Sequence, residues 1–422
     1  MNQSNLTSSH LKDIYFIIFA LLLAVITYYI NNSYLNNTAF AITELFLKFL
    51  QLMSAPIVFL AIITNFLNIS TQGHLKEYGK KVIFYTILTT ITASSIAYIL
   101  FQIIQPAADA LAQSGNYNSL IGSNIDISLS KSHASFNSGN SSHHNYYNEL
   151  IKIIPNNIFK AFAENNILGL ALIASIMGLA MMQLPTKQQE SLNTLFSALF
   201  QTFINLARFI IKILPLAIWA FTVLFLQAML TSNSLYTNGL GKYIFIVIAA
   251  NVIQGFIVLP LILKYKKLSP LRLFKSVTPA LTTAFFSKSS SATLPLTMDC
   301  MIEKHGIKEE IARFALPICT IINMNGCAAF IYTTVLFVAL QNGLHFSAFD
   351  YIIWIFIATI VAIGNASIPM GCYFLSSAIL LGMGVSLDLM VLILPIYTLF
   401  DMIETTLNVW SDCCVTDLVS AR

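Results

Sequence analysis

The sequence predicts an all-α integral membrane protein with eight transmembrane helices and two re-entrant helical hairpins. Three observations carry that expectation. Of its 422 residues, 57% are hydrophobic and 9% charged, whereas soluble domains carry roughly 25% charged residues; the mean hydropathy is +0.75. Apolar runs long enough to cross a bilayer, about 20 residues each, recur along the chain. Two of the later runs are broken in mid-segment by polar residues that bare hydrocarbon does not tolerate.

The first run, 14–30, follows a polar segment with one lysine and one aspartate and precedes Asn31-Asn32-Ser33, not a small-x-small cleavage site. It is read as a retained first span, not a signal peptide. Further spans fit at 41–69, 82–104, 151–184, 198–231 and 242–264. Lys76, Lys80 and Lys81 follow the second span, and Lys264, Lys266, Lys267, Arg272 and Lys275 follow the sixth. Positive residues favour the cytoplasmic side, so the N-terminus and the loops after spans two, four and six are expected there. The loop 106–149, rich in Ser, Asn, Gly and His, is then external and poorly ordered. Its His133, His143 and His144 read as part of a solvated low-complexity segment and not as a metal site. The net charge of +4 orients the chain and implies no nucleic-acid partner; the partners expected are membrane lipids and a small molecule. High Asn, Ile and Lys with a short polar N-terminus is compatible with a bacterial inner (cytoplasmic) membrane.

After Lys275 the pattern changes. Residues 276–300 are apolar but interrupted by Lys288-Ser289-Ser290-Ser291-Ala292-Thr293-Leu294-Pro295. Backbone groups freed there must be satisfied by protein or water, which points to a re-entrant hairpin with its tip at a site. A second hairpin is expected where Gly364-Asn365-Ala366-Ser367-Ile368-Pro369-Met370-Gly371 breaks the stretch 351–384. Between them, Asn323-Met324-Asn325-Gly326-Cys327 interrupts the span 311–341. Paired interrupted segments of this kind point to a transporter's midplane binding site.

The last apolar helix, 391–419, carries Asp401, Glu404, Thr405, Asn408 and Asp412 at offsets 0, +3, +4, +7 and +11. At 3.6 residues per turn these fall on one face. Carboxylates on such a stripe are costly in lipid, so they should face a protein interior or aqueous cavity and bind an ion or polar substrate. The six cysteines, Cys300, Cys319, Cys327, Cys372, Cys413 and Cys414, lack C-x-x-C spacing and are read as small buried hydrophobes. No H-E-x-x-H or G-x-S-x-G motif is present, and no enzymatic activity is expected.

At these segments the chain resembles the dicarboxylate/amino acid:cation symporter family, the glutamate transporter homologues. The serine-rich stretch 289–295 resembles the family's first hairpin tip. Asn323 to Cys327 resembles its Asn-Met-Asp-Gly-Thr motif, Gly364 to Gly371 its second hairpin tip, and Asp401, Glu404-Thr405, Asn408 and Asp412 its last helix. Ile154 to Phe159 and Leu214 to Trp219 also resemble family segments.

The resemblance implies a homotrimer whose protomers have a scaffold (1–81 and 151–240) and a mobile transport domain (82–105 and 241–422) that moves as an elevator, with 106–150 as the external loop. It implies a Na+- and/or H+-coupled amino acid symporter without an organic cofactor. Asp401 would hold the substrate ammonium, and Thr405 and Asn408 would contact its amino-acid moiety. Ser289, Ser290, Ser291, Ile368, Pro369 and Gly371 would wrap its carboxylate from the two tips, and Cys327 would stand in the same site. Asp412, with carbonyls near Asn323 and Asn408, would form one sodium site. Ala362 to Asn365 would help form another, and Thr89, Thr90 and Asn325 a further one.

Three departures bear on substrate and coupling. Glu404 stands where acidic-substrate members have an arginine that grips the side-chain carboxylate. A glutamate there would repel an acidic substrate by on the order of a few kcal/mol in a desolvated site, so a neutral or basic amino acid is expected. Two other readings of Glu404 stay open: it is protonated, because apolar surroundings favour the neutral acid, or Lys288 neutralises it. Asn325 replaces an aspartate, which weakens or removes one sodium site. Cys327 replaces a threonine and so removes a hydroxyl. The alternatives to a neutral or basic amino acid symporter are a glutamate, aspartate or dicarboxylate symporter and, ranked lower, an anion channel.

Overall fold

The computed structural model describes residues 16, 19–71, 76–107, 155–163, 167–231, 235–365 and 370–421. These residues are helical with short joints, and none of them forms a β-strand. In hydrocarbon every backbone N–H and C=O needs an internal partner, and a helix supplies it within the segment. The helices are α1 (Phe19–Ile30), α2 (Ser33–Thr71), α3 (Lys76–Ile104), α4 (Ile158–Ala163), α5 (Ile167–Met181), α6 (Thr186–Ile211), α7 (Leu214–Thr231) and α8 (Leu235–Ile253). After a π-helical turn, Gln254–Val258, come α9 (Leu259–Tyr265), α10 (Pro270–Ser287) and α11 (Ser290–Asp299). A second π-helical segment, Cys300–His305, leads to α12 (Glu309–Ile322), α13 (Asn325–Gln341), α14 (Ala348–Ile363), α15 (Gly371–Gly382) and α16 (Asp388–Ser420).

Four continuous stretches among the described residues are long and apolar enough to cross a bilayer: Tyr78–Ile104, Gly239–Tyr265, Glu309–Gln341 and Leu389–Ser420. Shorter apolar stretches, Phe19–Ile30, Ala55–Thr64, Leu172–Met181 and Pro215–Leu224, lie within four of the other expected runs. The run 198–231 is divided between α6 and α7, and α6 begins twelve residues earlier than the apolar run, at Thr186. That first part, Lys187-Gln188-Gln189-Glu190, is polar but made of good helix formers. Gln189 also closes the preceding turn, its side-chain amide donating to the carbonyls of Met182 (2.8 Å) and Leu184 (2.7 Å). Hydropathy alone misses such a segment. Most of the external loop, 108–154, lies outside the described residues.

The 39-residue α2 tolerates Pro56 and packs against α5, α6 and α7. Trp219 of α7 donates to the Thr27 hydroxyl of α1 at 3.1 Å. On the other side, α3 packs against α8, α13 and α14, and α16 packs against α10, α12 and α13. The interior holds two apolar clusters. One takes in the buried face of α2, most of α13 and the first part of α16 through Tyr397 and Phe400. The other takes in α10, α12 and the last part of α16 from Leu407 to Val419. Both α16 and the α12–α13 pair pass from one cluster to the other, and their polar residues, Asp401 to Thr405 and Asn323, fall at the passage.

Candidate functional site

Each interruption read from the sequence is a joint between helices. Helix α10 ends where Lys288 takes the left-handed conformation (φ 51°), and Ser289 caps α11 by accepting the Ala292 N–H at 3.2 Å. Asn323 and Met324 separate α12 from α13. Met370, also left-handed (φ 57°), precedes α15. Ala366, Ser367, Ile368 and Pro369 lie outside the described residues.

These joints surround one face of α16. Lys288, Ser290, Met324, Cys327, Asn365, Asp401, Glu404, Thr405 and Asn408 line one cavity of about 10 Å³, room for about one water molecule. Residues from six helices or joints thus meet in a nearly closed space. Ser289 caps a helix beside it, and Ser291 is exposed. Gly371 packs against the Asn365 side chain so closely that a Cβ there would overlap it.

The charges in the cavity are unevenly paired. Asp401 accepts a hydrogen bond from the Met370 backbone N–H, and its charge interacts with that of Lys288. Glu404 is only 1% exposed, and neither carboxyl oxygen has a hydrogen-bond partner among the described residues. Lys288 makes no ion pair with Glu404 among the described residues. Nor does Lys288 form an ion pair with Asp401 among the described residues. Asn408 turns its side-chain oxygen to the Gly326 N–H (2.8 Å), with its amide nitrogen toward the sulfurs of Met324 (3.5 Å) and Cys327 (3.7 Å).

The cysteine reading also needs correction. Cys327 and Cys372 are joined in a disulfide, their Cα atoms 5.4 Å apart, within the usual range for such a bridge. The pair is 45 residues apart in sequence, and nothing in its spacing signals that α13 and α15 bring the two together. Cys300, Cys319, Cys413 and Cys414 are free and buried.

Deeper along α16 lies a polar network. Asp412 is 1% exposed, and its carboxylate accepts from the Asn323 amide (3.0 Å) and the Thr320 hydroxyl (3.4 Å). No Lys, Arg or His pairs with it among the described residues. Such a carboxylate suits a hard cation such as sodium, which takes oxygen ligands. The Asn325 side chain is fully engaged. Its oxygen accepts from Gln254 (2.7 Å), and its nitrogen donates to Asn323 (2.8 Å), Ser411 (2.8 Å) and Thr89 (3.3 Å). Thr89 donates to Asn323 (3.1 Å), whereas the Thr90 hydroxyl is turned to the Thr86 carbonyl (2.8 Å). A nitrogen thus stands among these oxygens, which suits a cation poorly. The Ala362 carbonyl accepts from the Asn365 N–H (3.0 Å).

Four participants escaped sequence reading: Met324 as a cavity wall, and Gln254, Thr320 and Ser411 in the network. Gln254 carried a signal, a lone amide inside the apolar run 242–264. Away from the cavity, His305 and Asp417 form a buried contact at 3.3 Å that ties the end of α16 to the segment before α12.

Comparison with known proteins agrees with this architecture. A family model described as the sodium:dicarboxylate symporter family matches residues 14–422. The chain is 30% identical to human neutral amino acid transporter A over 396 residues, covering 87% of this chain and 73% of the relative. It is 28% identical to human neutral amino acid transporter B(0) over 397 residues, covering 87% and 71%. An uncharacterized symporter from Haemophilus influenzae is 27% identical over 373 residues, covering 86% and 81%. With the match spanning the apolar helices and every segment of the site, this integral membrane protein belongs to the sodium:dicarboxylate symporter family.

Proposed function

We propose that the protein is a cation-coupled symporter of neutral amino acids. The observation that carries the substrate reading is Glu404, a buried carboxyl without a hydrogen-bond partner among the described residues, in the wall of the cavity where an acidic substrate would place its second carboxylate. Like charges in a desolvated site repel, so glutamate and aspartate are disfavoured. The curated relatives named as neutral amino acid transporters support the same direction.

In this reading Asp401 receives the substrate ammonium, exchanging the hydrogen bond from the Met370 N–H for a charge-assisted bond to substrate. Release of the Met370 N–H would couple occupancy of the cavity to the segment that ends at α15. Lys288 and the N-terminus of α11 at Ser290, the positive end of the helix, would face the substrate carboxylate. Thr405 and Asn408 would complete the amino-acid contacts. Sodium would be held by the Asp412 carboxylate with carbonyls near Asn323 and Asn408, and a second ion by carbonyls around Ala362 to Asn365. The Asn325 network takes the place of a third, so fewer ions would accompany each substrate.

The joints at 288–289 and 364–370 would be tips of re-entrant hairpins. Helix α3 and the helices from α8 to α16 would form a moving body that slides against α1, α2 and α5 to α7 in a homotrimer. The expected membrane is bacterial and cytoplasmic, with the N-terminus inside.

A basic amino acid is the second reading, because an ammonium or guanidinium would meet the unpartnered oxygens of Glu404. Uptake of labelled serine into proteoliposomes under a sodium or proton gradient, with competition by alanine, lysine, arginine and glutamate, tests both. Competition by alanine and not glutamate supports the proposal, and competition by lysine and arginine alone selects the second reading. Efficient glutamate uptake would overturn both, and conductance without gradient-driven uptake would place the protein among channels.

A further inference from the structure

We propose that in its dithiol state the protein has a binding site for one thiophilic divalent cation of the zinc class, built from Cys327 and Glu404 in the wall of the cavity and from Cys372 beside Cys327. One ligand atom from each residue lies within 4.8 Å of the others, and all three residues are buried. Zinc accepts cysteine sulfur at about 2.3 Å and carboxylate oxygen at about 2.0–2.2 Å in tetrahedral geometry, so small side-chain shifts bring all three to one ion. Three protein ligands leave a fourth position open toward the cavity.

Two independent observations point to a ligand. Both Glu404 oxygens lack a hydrogen-bond partner among the described residues. The same is true of the Asn365 side-chain oxygen, while the Asn365 amide nitrogen is turned to the sulfurs of Cys327 (2.9 Å) and Cys372 (3.6 Å). An N–H aimed at sulfur is the outer support that a metal-bound thiolate uses. The Asn365 oxygen itself stands against Gly371.

The disulfide and the metal are alternative states of one pair. A dithiol reductant delivers two electrons and two protons to the S–S bond, giving two thiols and the reductant's own disulfide. Binding of the divalent ion then displaces both thiol protons to solvent. Two thiolates, one carboxylate and the ion sum to a charge of −1, with Lys288 across the same cavity. The ion would occupy Glu404 and part of the substrate's space, so metal and amino acid would exclude each other.

The test uses the purified full-length protein in nanodiscs. Samples reduced with a dithiol and desalted under nitrogen are compared with diamide-oxidised samples, each titrated with Co2+ and then Zn2+. The expected result is one equivalent of cobalt with a sulfur-to-cobalt charge-transfer absorption in reduced protein, displaced by zinc and absent after oxidation. Glu404→Gln should keep that absorption with affinity lower by roughly tenfold or more, and Cys372→Ser should weaken cobalt binding. The proposal is overturned if reduced wild-type protein shows no charge-transfer absorption, or if oxidised and reduced protein bind alike. Binding without sulfur absorption would assign the metal to histidines such as His143 and would also overturn it. The reduced-against-oxidised comparison needs no substitution, so a variant that fails to fold does not block the answer.

Discussion

Gly326 lies directly on the backbone of Glu404: a Cβ at 326 would stand 2.7 Å from the Glu404 Cα and 2.9 Å from its carbonyl oxygen. The first turn of α13 therefore touches α16 at the residue that distinguishes this cavity, and the Gly326 N–H holds Asn408 one turn further on.

That contact makes Gly326→Ala disruptive. Overpacking of this kind costs about 1–3 kcal/mol, and the backbone on both sides leaves little room to yield. The thermal midpoint of the detergent-purified protein should fall, and substrate uptake should fall more than the loss of folded protein explains. An alanine variant with wild-type midpoint and uptake would show that α13 can move away from α16 at no cost.

Substitution of Glu404 should move the substrate range. Glu404→Arg places a guanidinium beside the cavity, where a bidentate pair with a side-chain carboxylate is favoured. Competition by glutamate against labelled substrate should appear, and competition by neutral amino acids should weaken, because they leave the guanidinium an unpaired buried charge. An arginine variant that still excludes glutamate would remove Glu404 as the determinant.

Asp412 should set the response to the driving ion. Its carboxylate is buried and held only by the Asn323 amide and Thr320 hydroxyl among the described residues. Asp412→Asn removes the charge while keeping the shape, so the sodium concentration for half-maximal uptake should rise by roughly tenfold or more. Uptake measured across a sodium series checks this; unchanged dependence would move the ion elsewhere.

Asn325→Asp should have the opposite effect. The present amide donates to Asn323, Ser411 and Thr89; a carboxylate would instead turn oxygen toward the oxygens of Asn323 and Thr89. Only a cation relieves that crowding, so sodium should raise the variant's thermal midpoint more than the wild type's, and the sodium dependence of uptake should steepen. Equal sodium stabilisation in both would mean that the Gln254 amide still fills the site.

The sequence by itself determined the membrane class, the positions of the interruptions and the polar face of the last helix. Those depend on local properties: hydropathy over a span's length, helix-breaking residues, and a 3.6-residue period that puts Asp401, Glu404, Thr405, Asn408 and Asp412 in register. Residues 186–197 escaped because an amphipathic helix start has no span-like hydropathy. Only the tertiary structure decided who meets whom. It set Asp401 against the Met370 N–H and left Glu404 without a hydrogen-bond partner among the described residues. It joined Cys327 to Cys372 across 45 residues, and it brought Gln254 to Asn325 at 2.7 Å. Such pairings depend on how separate helices pack, and a helix's own periodicity says which face is polar but not which residue stands opposite it.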